Sequence, residues 1–276
     1  MSTINSNKIP FSVLMSLYKK EKPDYLSLCL ESLYSQTLQA KEIVLVFDGD
    51  ISIELENIVL EWKNKLPIKI IKIKKNVGLG MALNLGLLQC SNNIIARMDT
   101  DDICLPDRFM KQITYINQHP DIAVLGSNVI ECDENMSSSI GKKSLPTTYE
   151  NILKFIKKRC PFNHMSVVFR KDSILNSGNY QHHELMEDYN LWIRVISNGY
   201  KVENLSERLL KVRAGNSMIK RRRGLNYIKS EYRLANLKIE HNIDNLIPAY
   251  IILIKRSLIR ILPTLLLSIL YRTIRK

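Results

Sequence analysis

Residues 93–109, NIIARMDTDDICLPDRF, carry an apolar run, Asn93 to Ala96, straight into four carboxylates at Asp99, Asp101, Asp102 and Asp107. An apolar run of this kind reads as a strand buried on both faces, the pattern of a parallel sheet. The carboxylates then sit at its carboxyl end, where open α/β sheets bind ligands. Like charges this close raise one another's pKa unless a cation or hydrogen-bond donors compensate them. The chain itself is basic, with a formal net charge of +13 over 276 residues, so the acidic concentration calls for a specific cause.

Upstream, the same rhythm repeats. Phe11–Leu17 reads as a first strand, and a helix follows Pro23-Asp24, with Tyr25, Leu26, Leu28, Cys29, Leu30 and Leu33 on a 3.6-residue period. Glu42–Phe47 is a second strand, broken by Asp48-Gly49-Asp50 and followed by a helix over 52–64. Ile68–Ile73 is a third, followed by the loop Lys75–Gly80 and a helix through Leu88, and Asn93–Met98 is the fourth. Strands alternating with helices at this spacing predict right-handed βαβ units, hence an α/β fold with a doubly wound, mostly parallel sheet flanked by helices. After about residue 125 the rhythm loosens. Ile122–Ser127 and Ser166–Phe169 read as strands, MEDYNLWIRVISNG (186–199) as a helix, and 225–276 as mainly helical.

Apolar residues at 45% and charged residues at 24% describe a globular chain rather than a disordered one. The five cysteines are scattered and lack a C-x-x-C pair, which argues against a disulfide framework or a zinc site and for a reducing, cytosolic setting. The N-terminus lacks the pattern of a signal peptide. From Lys201 to Lys276 there are 17 Lys and Arg against 5 Asp and Glu. That asymmetry points to an anionic partner for the C-terminal part.

The chemistry-bearing residues fall at the strand ends: Tyr18 after the first, Asp48 after the second, Asn76 and Gly78 after the third, Asp99 to Asp102 after the fourth. An extended chain leaving residue 98 would point Asp99 and Asp101 to one side, a hard oxygen pair suited to Mg²⁺ or Mn²⁺. The competing reading is a set of acidic caps, favoured for Asp102 and Asp107. Gly78-Leu79-Gly80 is a poor dinucleotide fingerprint, because the third small residue is replaced by Leu83 and the loop follows the wrong strand. Glu187 and Asp188 open a helix, where acids favour the N-terminus electrostatically or one serves as a general base. His164, at the start of a strand, is either structural or a lining residue of the same crevice.

Five ordered segments, SVLMSLYKK, LESLYSQTL, EIVLVFDGD, ARMDTDDICLPDRF and EDYNLWIRV, together resemble family 2 glycosyltransferases of the GT-A fold. The likeness is closest to bacterial members that build exopolysaccharide and O-antigen units, and covers roughly residues 11–225. The resemblance implies inverting transfer of a hexose from a UDP-sugar to a hydroxyl of an acceptor. It implies that Asp99 and Asp101 form the D-x-D motif holding a divalent cation, Mn²⁺ or Mg²⁺, and that Tyr18 and Asp48 hold the uracil. Asp188 would be the general base, with Glu187 and His164 beside the acceptor and Asn76 beside the donor. Residues 1–125 would form the nucleotide-sugar half and 126–224 the acceptor half of one domain. Departures are Ser16 and Lys19 in the first turn, and Leu83 where an arginine often precedes Asn84. Candidate replacements are the basic run at 220–223, with Arg221 and Arg222, assisted by Arg213.

Residues 246–276, LIPAYIILIKRSLIRILPTLLLSILYRTIRK, are too interrupted by charge for a spanning helix. Arg256, Arg260, Thr264, Ser268 and Arg272 recur every fourth residue, the stripe of a helix lying in an interface with its arginines against anionic headgroups. The alternative is a helix packed on the catalytic domain. A polyprenyl-diphosphate-linked acceptor at the inner leaflet of the cell membrane would account for a peripheral, cytoplasmic protein with this basic surplus. Two competing functions fit less well. A sugar nucleotidyltransferase predicts a glycine-rich loop after the first strand, and SLYKKEKPDY has no glycine. A non-enzymatic membrane or nucleic-acid binder predicts interleaved aromatic and basic residues, so a nucleic-acid polymer is not the expected partner.

Overall fold

The computed structural model describes residues 9–214 and 224–261. Strand β1 (Phe11–Leu17) is buried almost throughout because both faces of the sheet are covered. Phe11, Val13, Met15 and Leu17 enter one apolar cluster, and Leu14 enters the other. After β1 come α1 (Pro23–Tyr34), β2 (Glu42–Asp48), α2 (Ile53–Lys63), β3 (Ile68–Ile73), α3 (Leu79–Gln89) and β4 (Ile94–Arg97). These four strands pair in parallel in the order β3-β2-β1-β4. The order reverses between β1 and β4, and that switch opens a crevice at their carboxyl ends.

The sheet then continues with a mixed second part. It contains β5 (Ile103–Cys104), α4 (Arg108–Gln118), β6 (Ile122–Cys132), β7 (Ser139–Lys143), α5 (Tyr149–Ile156), β8 (Val168–Arg170), α6 (Lys171–Asn176), α7 (Glu187–Ser197) and β9 (Lys201–Arg213). Strand β8 lies antiparallel to β4 and to β6, β9 runs parallel to β6, and β5 and β7 close the edges antiparallel. Helices α1, α2 and α4 cover one face, while α3, α5, α6 and α7 cover the other. The doubly wound α/β fold expected from the sequence is the one present.

Two local readings change. His164 lies on a 3₁₀ turn, His164–Ser166, ahead of β8, rather than on the strand itself. The thirteen-residue β9 has no counterpart in the sequence reading. Its alternation, with Val202 and Asn204 inward, is interrupted where the register against β6 jumps from Leu205 to Arg208 and resumes at Leu210 and Val212. A bulge of this kind erases the period-two signal that identifies a strand.

Helices α8 (Leu225–Glu240) and α9 (Leu246–Ile261) pack as an antiparallel pair against α7, while residues 262–276 lie outside the described residues. Here the interfacial reading of the stripe is corrected for Arg256 and Arg260. Both turn inward to the buried Glu231, Arg256 Nε at 2.9 Å and Arg260 Nη2 at 3.6 Å, and Arg260 also lies over the Tyr227 ring. The physical reason is that a buried carboxylate must be paired, so the cations serve Glu231 before any headgroup. Thr264, Ser268 and Arg272 lie outside the described residues. Among the described residues no helix is long and apolar enough to cross a membrane. Glu231→Ala leaves Arg260 buried without its carboxylate and is expected to cost about 3 kcal/mol in urea unfolding. Arg256→Ala, at the more exposed end of the pair, should cost well under half of that.

Candidate active site

At the end of β2, Asp48 is buried and its carboxylate is fully engaged by the loop after β3. Oδ1 accepts from the Val77 amide at 2.7 Å, and Oδ2 accepts from the Gly78 amide at 3.0 Å and Asn76 Nδ2 at 2.9 Å. Gly49 permits this approach: its φ is +83°, and a Cβ there would fall 2.7 Å from the Asn76 nitrogen. Asp48 therefore shapes the 76–78 loop that opens α3, while Asn76 and Val77 stay exposed at the crevice mouth with Tyr18.

At the end of β4 the chain does not continue extended. A turn at Thr100–Asp101, anchored by Thr100 Oγ1 donating to Glu21 Oε2, reverses it into β5. An extended chain would have sent Asp102 to the opposite side from Asp99 and Asp101; the turn returns it, so Asp99, Asp101 and Asp102 all offer oxygens within 4.8 Å of one another. This corrects the assignment of Asp102 as a cap. Asp107 does occupy the N-cap position of α4, but its carboxylate accepts from the Thr37 hydroxyl at 3.3 Å instead of from the helix.

The protein supplies part of the compensation itself. Arg97, two residues before Asp99 on the same side of the strand, is 1% exposed and forms an ion pair with Asp99 through Nη2. Its Nε and Nη1 find no acceptor among the described residues. The compensation is incomplete. Burial, and then the charges of Asp99 and Glu21, push Asp101 up to about 7. Burial, and then Asp101 and Asp99, hold Asp102 well above the carboxylate range. Three clustered carboxylates of which two resist ionisation fit a hard divalent cation such as Mg²⁺ or Mn²⁺, with Asp99, Asp101 and Asp102 as its oxygen donors.

A second clamp comes from β9. Arg213 donates its amide to Asp102 Oδ1 at 3.1 Å, Nη1 to the Asp101 carbonyl at 2.5 Å and Nε to the Glu134 carbonyl at 2.9 Å. Its guanidinium lies 3.6 Å from the centroid of the Tyr25 ring. Arg213 thus holds the aspartate turn in place. Arg221 and Arg222 lie outside the described residues.

Across the crevice, α7 begins with Glu187 and Asp188. Gly80 in α3 sits against this end: a Cβ on it would lie 3.0 Å from Glu187 Cβ. Burial, and then Asp188, raise Glu187 to about 7. Asp188 is half-buried, and its Oδ2 accepts from Cys160 Sγ at 3.3 Å. His164 is set behind this wall, its Nε2 2.9 Å from the Tyr180 hydroxyl and its ring near Trp192. Burial, and then Arg97, hold its pKa well below 6.5, so it is neutral. Leu83, where an arginine was expected, is wholly buried in the core, and Asn84 Nδ2 donates to the Tyr180 carbonyl at 2.7 Å. Arg97, Glu21 and Tyr25 were not singled out from the sequence. For Arg97 there was a signal, a charged residue in an apolar strand at even spacing from Asp99; for Glu21 and Tyr25 the contacts are tertiary.

Residues 12–176 match the family model described as "Glycosyl transferase family 2". The chain belongs to glycosyl transferase family 2. This family 2 glycosyltransferase is 54% identical to the amylovoran biosynthesis glycosyltransferase AmsE of Erwinia amylovora, over 76% of the chain and 79% of AmsE. It is 35% identical, over 96% of both chains, to the Escherichia coli UDP-Gal:alpha-D-GlcNAc-diphosphoundecaprenol beta-1,3-galactosyltransferase. The crystal structure of S. aureus TarS 1-349 in complex with UDP-GlcNAc superposes with a TM-score of 0.67 at 19% identity, covering 91% of this chain and 72% of that one. The fold of this family 2 glycosyltransferase is thus GT-A, as the resemblance implied.

Two outcomes follow for this enzyme. Asp101 and Glu187 bind protons more tightly folded than unfolded, so in metal-free buffer stability should fall as pH rises from about 4 through about 7. Mn²⁺ binds the ionised carboxylates, so it should raise Tm more at about pH 8 than at about pH 5. Thermal scans at several pH values with and without Mn²⁺ check this; a metal increment independent of pH would contradict it. Arg97→Met removes the internal cation and should destabilise the protein by about 3 kcal/mol in urea titration, more at high pH than at low.

Proposed function

We propose that this enzyme transfers a hexose from a UDP-sugar, with inversion at the anomeric carbon, to a hydroxyl of a polyprenyl-diphosphate-linked saccharide. The setting would be synthesis of a bacterial exopolysaccharide or O-antigen. The observation that carries this reading is the opposition of two acidic groups across one crevice. Asp99, Asp101 and Asp102 stand at the end of β4, with Glu187 and Asp188 at the start of α7. The relatives agree in kind, since one serves amylovoran synthesis and another is named for transfer from UDP-Gal to a lipid-diphosphate-linked GlcNAc. A UDP-sugar also occupies the structural neighbour TarS.

On this reading residues 1–125 hold the donor. Tyr18 and the 76–78 loop, shaped by Asp48, accommodate the uracil nucleoside, and the aspartate turn faces the diphosphate. A bound Mn²⁺ or Mg²⁺ ion, held by Asp101 with Asp99 and Asp102, would neutralise charge on the departing diphosphate. Arg213 keeps that turn fixed, and Arg221 and Arg222 add positive charge for the pyrophosphate. Residues 126–224 present the acceptor. Asp188 accepts the proton of the attacking hydroxyl as its oxygen bonds to the anomeric carbon and the carbon–UDP bond breaks. Glu187 flanks the acceptor, and His164 backs the pocket through Tyr180. A lipid-linked acceptor would keep the enzyme at the cytoplasmic face of the cell membrane, peripherally, with α8 and α9 towards it.

Asp188→Asn keeps the shape of the side chain and removes the base. Turnover of a UDP-sugar onto a lipid-linked acceptor should fall by about 10²-fold or more, while UDP-sugar affinity by calorimetry stays within about twofold. Unchanged turnover would move the base to another group, Glu187 first. The anomeric configuration of the product, read by NMR coupling, decides inversion directly.

A further inference from the structure

We propose that the outer face of α8 and α9 is a docking surface for an anionic lipid bilayer. This deepens the lipid-linked-acceptor reading, on which it rests for its setting.

Helix α9 sorts its side chains by chemistry. Arg256 and Arg260 turn towards Glu231, and Ala249 is buried with them. Ile247, Ile251, Ile254 and Leu258 recur at steps of four, three and four, so they form one stripe, and each is between 46% and 69% exposed. Beside the stripe, a groove of about 550 Å³ runs between the two helices, lined by Ile228, Tyr232, Leu253 and Leu258. A contiguous apolar face of this kind marks an interaction surface.

The charge around it selects the occupant. Lys229 and Arg233 line the groove, and Lys255 stands exposed next to the stripe. Helix α9 contains no acidic residue, and the acids of α8 are the buried Glu231 and Glu240 at the far end. An apolar stripe and groove flanked by Lys229, Arg233 and Lys255 match the acyl boundary and the anionic headgroups of a bilayer, which offers both at one depth. The surface is also firmly connected to the reaction crevice. The Ser230 carbonyl lies 2.9 Å from His183 Nε2, just before α7, and Lys238 Nζ donates to the Lys157 carbonyl at 2.8 Å. Docking through α8 and α9 would therefore orient the crevice relative to the lipid.

The test uses the full chain in co-sedimentation with vesicles of phosphatidylcholine alone and with added phosphatidylglycerol. The protein should pellet with the anionic vesicles and far less with the neutral ones. The pairs Ile251→Ser with Ile254→Ser, and Lys229→Gln with Arg233→Gln, should each weaken anionic-vesicle partitioning by about tenfold or more. All four side chains are largely outside the core, so both variants should keep the wild-type circular dichroism. Absence of binding to anionic vesicles, or wild-type binding by both variants, overturns the proposal. So does a dimer in sedimentation equilibrium that the isoleucine variant dissolves without any vesicle binding, since the occupant is then a second copy. Calorimetry with UDP-sugars on the same samples separates the two readings. Loss of nucleotide binding with vesicle binding intact counts against the transferase assignment alone, and the reverse pattern counts against this surface alone.

Discussion

The ion pair between Arg97 and Asp99 is the constraint around which the crevice is organised. A strand buried on both faces has no room for uncompensated charge, yet this one ends in three carboxylates. Period-two alternation puts Arg97 on the same side as Asp99, so the cation arrives with the strand and needs no ligand to hold it there. Burial first, and then the charges of the neighbouring acids, which one guanidinium does not cover, keep the proton affinity of Asp101 and Asp102 high. The molecule thus folds with a deficit of positive charge at one defined point. That deficit distinguishes the turn from a mere surface acid patch.

Holding the deficit open requires rigidity on every side. Glu21 fixes Thr100 from the first turn, and Arg213 fixes the Asp101 carbonyl and the Asp102 carboxylate of the same segment from β9, stacked on Tyr25 of α1. The opposite wall is set by how closely α3 can approach α7, and Gly80 makes that approach possible without a Cβ. Residues scattered from 21 to 213 thereby act on one turn. The crevice is preorganised by packing and hydrogen bonds that exist before any substrate arrives, the condition under which electrostatic stabilisation costs no rearrangement.

Legibility in the sequence followed the range of the interactions. The parallel strands and their helices were legible because each is a local period: Phe11–Leu17 and Ile68–Ile73 coincide with the observed elements to the residue. Asp99, Asp101 and Glu187-Asp188 were legible because each lies at an element end. Asp102 was misassigned because the extended continuation assumed after residue 98 is broken by a turn whose anchor, Glu21, is 79 residues away in sequence. Strand β9 is hidden in the sequence because a bulge splits its alternation, and the sequence groups Arg213 with the basic run at 220–223 because its actual partners, Asp101, Asp102, Glu134 and Tyr25, are tertiary. The stripe Arg256 and Arg260 was seen, but its direction was not. A helical wheel gives the angle between residues and says nothing about which side meets the protein, and that side was decided by the buried Glu231.

The distribution of charge over the whole chain then acquires a physical logic. An acidic crevice repels anions, and a basic molecule lessens the long-range part of that repulsion. The surplus in the last quarter is divided: Arg213 braces the aspartate turn, while Arg256 and Arg260 pair with the buried Glu231. Within that quarter the arginines facing inward hold α9 in place. Lys229, Arg233 and Lys255 face outward beside an apolar stripe. Segregation of charge therefore lets one chain keep a carboxylate cluster and the basic outer face of α8 and α9 apart, so that neither neutralises the other.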